Sequence, residues 1–277
     1  MIIQADEDDL NLIYLTKLVD LLATCAEGEN RHIESLCQTI LPLDELLRIL
    51  NQSSVPPRLK RSFTNYLIWV YMRTAGTMVE SGASELPHDR DIWSFIMGLG
   101  DEMNRLTVFI SQNGDSIREF LKPWSSARGL TEERKLEVGR QLKDAEFFAT
   151  TASLFLQTFI LRFYSPETDA YPEEGVIIDN VARAAIDFSL KAKQFLINDR
   201  FSRNLLNCTT VLLKASTTSI SVISFFNFLN FLKKIYSSRI ARILSKCSEA
   251  AVSRLKTKLF RFVSLIILVK LVDFATK

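Results

Sequence analysis

Residues that break secondary structure are confined to the first 175 positions of this 277-residue chain. All nine glycines lie between Gly28 and Gly175, and all seven prolines lie between Pro42 and Pro172. Because glycine and proline interrupt helices and strands more strongly than other residues, the first part is predicted to contain short elements joined by turns. The last 102 residues contain neither type, which predicts long helices with few interruptions.

The apolar residues recur at three and four positions, which is the spacing of helices rather than strands. After the turn "SSVPP", residues 58–73 are predicted to form a helix with one apolar stripe: Leu59, Phe63, Tyr66, Leu67, Val70 and Tyr71. Residues 9–26 predict another helix that ends just before Gly28. Its inner side is predicted to carry Leu12, Leu15, Val19, Leu22 and Cys25/Ala26.

Five further helices are predicted, over residues 29–40, 43–51, 89–111, 131–164 and 176–198. The best loop candidates are the stretches from "QNGDS" to "PWSSARG" and "YSPETDAYPEEG", residues 112–129 and 164–175. These helices are expected to be antiparallel and joined by short turns, and they share no single dominant amphipathic seam. This combination favours a helical solenoid over a four-helix bundle. The predicted fold is therefore all-α, an armadillo/HEAT-like solenoid of antiparallel helix pairs over residues 1–200.

Charge is distributed unevenly along the chain. Residues 1–200 carry 21 basic and 30 acidic side chains, a net charge of −9, whereas residues 201–277 carry 13 basic and 2 acidic, a net charge of +11. The second part is predicted to be a separate basic, glycine- and proline-free helical tail packed on the solenoid. Such an asymmetry indicates a tail that meets an acidic surface, a membrane or a nucleic acid.

Within the tail, residues 233–262 form the pattern of a basic amphipathic helix. This pattern is typical of helices that bind calmodulin or lie on an anionic membrane, although an outer helix with a solvated charged face gives the same pattern. Nucleic acid is not favoured, because the aromatic residues do not interleave with the basic ones. The residues predicted to contact a partner are Lys233, Lys234, Arg239, Arg242, Ile243, Leu244, Lys246, Arg254, Leu255 and Lys256.

Two uncharged stretches of the tail, residues 215–232 and 262–269, are interpreted as buried helices. The first has the length of a membrane span but contains five Ser or Thr between positions 216 and 221. The second is far shorter than the roughly 20 apolar residues that a transmembrane helix needs. The phenylalanines of residues 146–163 and 223–232, at three- and four-residue spacing, predict core packing rather than a ligand pocket.

Catalytic and metal-binding motifs are not found in the sequence. The two histidines, His32 and His88, have no nucleophile or carboxylate patterned around them and are predicted to be surface side chains. "MGLGDE", residues 97–102, falls in a helical pattern and is not interpreted as a phosphate loop, and the acidic residues 6–9 fail the EF-hand pattern. The four cysteines, Cys25, Cys37, Cys208 and Cys247, lack paired spacing and are predicted to be small buried residues. The sequence therefore predicts no enzyme, no cofactor and no metal site.

Two segments carry a resemblance to a known family: "LVDLLATCAEGEN" and "LCQTILPLDELLRILNQSSVPPRLKRSFTNYLIWVYMRT", residues 18–30 and 36–74. They resemble the central cytosolic region of the inositol trisphosphate receptors, the calcium-release channels of the endoplasmic reticulum. Weaker similarity continues to about residue 200 and includes "DRDIWSFIMGLGDEM". The residues that carry the motif are Glu27, Gly28, Asn30, Pro42, Leu43 and Asp44 in turns, and Phe63, Leu67 and Tyr71 in packing.

The resemblance implies an armadillo-like helical stack that relays conformational change between the ligand-binding and pore parts of a channel, on the cytosolic face of the endoplasmic reticulum. It implies other segments of the channel polypeptide as partners. The family's ligand pocket and pore do not fit within residues 1–277 beside the matched segment. The chain is accordingly expected to be an isolated part of such a receptor or a short relative. The alternative is a free-standing armadillo-like adaptor that binds a protein partner, with its basic tail directed to calmodulin or a membrane surface.

Overall fold

The computed structural model describes residues 10–27, 30–74, 83–121, 130–164, 172–192, 195 and 199–215. All regular elements in these ranges are helices, which confirms the predicted all-α class. Chain contacts divide the protein into two compact units, residues 1–217 and 218–277, and every described residue belongs to the first. No helix among the described residues is long and apolar enough to cross a membrane.

The first half of the described chain contains four helices and a short helical turn. They are α1 (Leu10–Ala26), α2 (Arg31–Ile40), α3 (Leu43–Asn51) and α4 (Pro57–Tyr66), and α4 continues into a first π segment (Leu67–Met72). A 3₁₀ turn follows at Ala83–His88. These bounds confirm the helices predicted for residues 9–26, 29–40, 43–51 and 58–73.

The second half contains six further helices. They are α5 (Arg90–Gln112), α6 (Gly114–Phe120), α7 (Glu132–Phe147), α8 (Ser153–Arg162), α9 (Pro172–Ala192) and α10 (Asp199–Ala215). A second π segment (Phe148–Ala152) joins α7 to α8, so residues 132–162 form one long helix as predicted. Residues 201–215, assigned by sequence to the tail, belong to α10, which packs on α8 and α9.

Two loop predictions were wrong in part. Residues 114–120 lie in the first predicted loop but form α6. Residues 172–175 lie in the second predicted loop but form the first turn of α9. Proline suits the first turn of a helix, where its missing N–H would have no intrahelical partner, and the acidic pair Glu173 and Glu174 complements the dipole there.

The predicted inner face of α1 was confirmed at Val19 and Ala26 and wrong at Leu15 and Cys25. Leu15 is 40% exposed and Cys25 is exposed, whereas the buried positions are Thr16, Val19, Ala23 and Ala26. Since α1 packs on α4, the face with the smaller side chains is the one that lies against its neighbour. The prediction followed the leucines, which here lie partly or largely at the surface.

The helices follow one another in two rows. In the first row, α5 lies between α3 and α9. In the second row, α4 lies between α1 and the long α7–α8 helix, and the α7–α8 helix contacts α10. The α4 and α7–α8 helices run in the same direction. Arg61 Nη1, in the first half of α4, lies 3.7 Å from Glu146 Oε1, in the middle of the α7–α8 helix. Arg162 Nη1 donates to Met72 O at 2.8 Å, near the ends of both helices.

Aromatic side chains fill the core between α5, α8 and α9. The ring centroids of Trp93 and Phe159 lie 5.2 Å apart, as do those of Phe95 and Phe155. Phe155 and Phe159 have no exposed surface. The core role predicted for the phenylalanines of residues 146–163 is thereby confirmed for those that are buried, while the second cluster, residues 223–232, lies outside the described residues.

Candidate functional site

The residues singled out by sequence lie mainly at the junction of α2, α3 and the first π segment. Asn30 caps α2, where its Oδ1 accepts a hydrogen bond from Ile33 N at 3.3 Å. Pro42 is the N-cap of α3, and Leu43 and Asp44 form the first turn of that helix. Glu27 is an exposed turn residue after α1, and Gly28 lies outside the described residues.

Three side-chain hydrogen bonds join the end of α2 to the α4 helix and its π segment. Tyr66 Oη donates to Cys37 O at 2.7 Å, and Tyr71 Oη donates to Leu41 O at 2.6 Å. In the opposite direction, Gln38 Nε2 donates to Val70 O at 2.9 Å. We refer to these three pairs as the tyrosine junction.

The tyrosine junction is buried. Tyr66 and Tyr71 are 1% and 2% exposed, and the predicted packing residues Phe63 and Leu67 are buried beside them. Burial raises the pKa of both phenols above their ordinary value of 10, with the neighbouring Cys37 thiol adding to the effect. Both hydroxyls therefore stay protonated near neutral pH and act as hydrogen-bond donors. The junction is a structural link and contains no group arranged for chemistry.

The helical spacing predicted that Tyr66 is a core residue, but neither Tyr66 nor Gln38 was predicted to belong to the tyrosine junction. Residues five apart on an α-helix differ by about 140° around its axis, so Tyr66 and Tyr71 would not reach the same neighbouring helix end. The π segment, with its i→i+5 hydrogen bonds, widens the turn between them. The signal that was available is the pair of tyrosines at a spacing of five.

A second candidate site is a groove of about 550 Å³ bounded by α3, α4, α5 and α7. Apolar side chains form its floor: Leu50, Phe95, Leu99, Phe147 and Phe148. Charged side chains line its walls: Lys60, Asp101, Glu102, Arg105, Arg140 and Asp144. This volume lies within the range of protein ligand sites. The groove was not predicted, because its residues come from four separate helices and match no motif.

Arg105 is the centre of a hydrogen-bond network on one wall of this groove. Its guanidinium binds both carboxylate oxygens of Glu102, with Nε donating to Oε2 at 2.9 Å. Nη1 donates to Gln141 Oε1 at 3.2 Å, and Nη2 lies 3.8 Å from Oδ2 of the buried Asp144. The hydrogen bond to Glu102 raises the pKa of Arg105. The network joins α5 to α7.

Lys60 and Arg140 differ from Arg105 in their surroundings. No carboxylate of the described residues lies within ion-pairing distance of either side chain. Lys60 is half-buried, and this burial lowers the pKa of its ammonium group, although Glu102 and Asp144 act in the opposite sense from a greater distance. The groove therefore contains a partly desolvated cation whose nearest carboxylates are bound to Arg105.

The other candidates for chemistry are placed apart. His32 and His88 are both exposed, as predicted, on α2 and in the 3₁₀ turn. Cys37 and Cys208 are buried, and burial raises the pKa of both thiols. The prediction that all cysteines are buried was wrong for Cys25, while Cys247 lies outside the described residues. Among the described side chains, no group of three His, Cys, Asp or Glu is positioned to hold a metal ion.

"MGLGDE" lies within α5, whose hydrogen-bonded backbone runs through both glycines without forming a loop. The ten residues predicted as a partner-binding helix, Lys233 to Lys256, and the acidic residues 6–9 lie outside the described residues. No protein-family model matches the chain.

Proposed function

We propose that this chain is a non-catalytic coupling and regulatory segment of a calcium-release channel of the inositol trisphosphate receptor type, working in calcium signalling on the cytosolic face of the endoplasmic reticulum. The observation that carries the proposal is the coincidence of two features. Residues 18–74 resemble that family, and within them the tyrosine junction links helices across about 30 positions of sequence. A segment that transmits motion needs such links.

The two rows of helices support an armadillo-like solenoid as the form of this segment. In a solenoid each helix contacts the equivalent helix of the next repeat, and equivalent helices run in the same direction. The α4 and α7–α8 helices run in the same direction and are joined by two polar contacts, Arg61 with Glu146 and Arg162 with Met72. Packed helices of this kind move as units, because close-packed interiors resist local deformation.

Isolation of the protein from cells that express it tests this proposal. An epitope tag is fused to Met1, and the tagged protein is purified from detergent-solubilised membranes. We expect the preparation to bind radiolabelled inositol trisphosphate and to contain channel-forming polypeptide. Recovery of the protein entirely in the high-speed supernatant, without this binding activity, would overturn the assignment.

A matched pair of variants tests the coupling role itself. Tyr66→Phe combined with Tyr71→Phe removes both donors of the tyrosine junction, and Tyr14→Phe removes a hydroxyl from a side chain that is 70% exposed. In cells, the double variant is expected to retain inositol trisphosphate binding but to release less calcium in response to it. The Tyr14→Phe control is expected to behave as the unmodified protein. Equal calcium release by both variants would argue against transmission through the junction.

The alternative is a free-standing helical adaptor that binds a protein partner, and the +11 charge of residues 201–277 is the observation that favours it. Calmodulin is the partner that a basic amphipathic pattern suggests. The test is calcium-dependent retention of the full chain on immobilised calmodulin, beside a variant with Ile243, Leu244 and Leu255 changed to Asp. The adaptor would be favoured if calmodulin retained the unmodified chain but not the variant, in a calcium-dependent manner, and if the chain were recovered in the high-speed supernatant of cell extracts.

A further inference from the structure

We propose that the groove bounded by α3, α4, α5 and α7 is a peptide-binding site, which accepts a carboxylate side chain at Lys60 and Arg140 and an apolar side chain next to Met97. The occupant is a segment of polypeptide with one acidic residue beside an apolar one. This site is separate from the tyrosine junction, and the inference does not depend on the proposed function.

The two cations supply the first argument. Both line the groove, and neither has a carboxylate of the described residues within ion-pairing distance. Arg140 is exposed, but Lys60 is half-buried, and a charged group withdrawn from water is normally paired because burial without a partner is costly. Glu102 and Asp144 do not fill this role, since Arg105 engages both. An incoming carboxylate would give the half-buried ammonium of Lys60 the acceptor that it lacks.

The balance of charge around the groove decides between a single carboxylate and a polyanion. Three cationic side chains line it, Lys60, Arg105 and Arg140, but so do three anionic ones, Asp101, Glu102 and Asp144. A polyphosphate would meet these carboxylates as well as the cations, and like charges at short range repel. One carboxylate directed at Lys60 and Arg140 avoids this repulsion.

The shape of the groove supports a peptide rather than a small free anion. Met97 lines the groove, is 50% exposed and offers a flexible apolar surface, which suits contact with varied side chains. Gly98, next to it on α5, has open space at the position of a Cβ atom. The apolar floor of Phe95 and Leu99 lies below. A ligand that fills this space needs an apolar part in addition to its carboxylate.

Selection of a displayed random peptide library on the full purified chain tests the proposal. Enriched sequences are expected to share one Asp or Glu beside an apolar residue, and their affinities are measured by fluorescence polarisation of labelled synthetic peptides. Lys60→Met combined with Arg140→Gln is expected to weaken binding at least about tenfold, the effect of losing a charge-assisted hydrogen bond. Gly98→Leu is expected to block the groove and should itself fold, since leucine is a better helix former than glycine.

Lys17→Met is the matched control, because Lys17 is an exposed cation on α1, outside the groove. Its affinity for the selected peptides should equal that of the unmodified chain, and circular dichroism verifies that all variants are folded. Failure to enrich any acidic sequence, or equal binding by the groove variants and Lys17→Met, would overturn the proposal. Binding of pyrophosphate that Lys60→Met/Arg140→Gln abolishes, without binding of any selected peptide, would also overturn the proposal.

Discussion

Gly100 of α5 lies directly against Val181 of α9: a Cβ atom placed on Gly100 would stand 3.0 Å from Val181 Cγ2 and 3.6 Å from its Cα. A Cβ contact of 3.0 Å is tighter than nine in ten real ones, so Val181 would have to move by a few tenths of an ångström. The absence of a side chain at Gly100 therefore lets α5 and α9 pack along their length. Two positions earlier on the same helix, Gly98 faces open space.

This contrast predicts opposite effects for the same substitution. Gly98→Ala should raise the free energy of unfolding by about 0.5–1 kcal/mol, because alanine is the better helix former. Gly100→Ala should lower it by about 1–2 kcal/mol, because Val181 is buried and β-branched and cannot move aside without strain. Urea denaturation of the two variants measures the difference. Equal stabilisation by both would show that α9 yields easily at this point.

A second prediction concerns the tyrosine junction. Tyr66→Phe and Tyr71→Phe should each lower the free energy of unfolding by about 1–2 kcal/mol, because each leaves a carbonyl without its side-chain donor in a buried place. The measurement is urea denaturation followed by circular dichroism. Tyr14→Phe, at the surface, should leave stability unchanged. Loss of stability in this control as large as in the two variants would mean that the hydroxyls are not the cause.

Much of the fold was predictable because helical spacing is a local property. The stripe from Leu59 to Tyr71 was predicted residue by residue, and all its members are buried. The same reasoning put Leu15 of α1 inside, where it is 40% exposed, because the phase of a helix depends on the neighbour that it packs against. The leucines of α1 and its face of smaller residues both have helical spacing, so the sequence pattern does not show which of the two faces packs against α4.

The sites were harder to predict than the helices. Asn30 at a helix start and Pro42 before α3 have local signals, and the structure places both at helix N-caps. The groove has no local signal, because Lys60, Arg105 and Asp144 come from different helices and only folding brings them together. The burial that lowers the pKa of Lys60 is likewise a property of the assembled helices.

A third prediction is a loss of stability at alkaline pH. Burial raises the pKa of the Cys208 thiol from its ordinary value of 9 to about 12, and it raises the pKa of Tyr66 and Tyr71 from their ordinary value of 10. The unfolded chain therefore releases these protons at lower pH than the folded one. The stability that the three groups contribute is complete below about pH 9 and falls as the pH rises through the folded-state values.

Lys60 acts in the opposite sense, because its pKa is lowered by burial. Burial also raises the pKa of Cys37 and Tyr164, so five of the described groups act against this one. The check is the free energy of unfolding measured in urea at steps from about pH 8 to 11. Cys208→Ala should reduce part of the decline between about pH 9 and 10, where the two buried thiols, Cys37 and Cys208, are the first groups to contribute. A free energy that is constant over this range would contradict the prediction.

The last prediction concerns Arg105 and Asp144. Arg105→Gln removes the cation that lies 3.8 Å from a carboxylate with only 8% of its side chain exposed. Breaking a buried ion pair costs about 3–5 kcal/mol, and since Arg105 is itself half exposed, we expect a smaller loss of about 1–2 kcal/mol. In the double variant Arg105→Gln/Asp144→Asn the buried charge of Asp144 is removed as well, and the remaining carboxylate, Glu102, is 38% exposed, so much of this loss should be recovered. The four proteins form a double-mutant cycle measured by urea denaturation. A coupling energy near zero would mean that Glu102 and Gln141, rather than Asp144, account for the effect of Arg105. The contact between α5 and α7 would then depend on the hydrogen bond that the Arg105 guanidinium donates to the amide oxygen of Gln141.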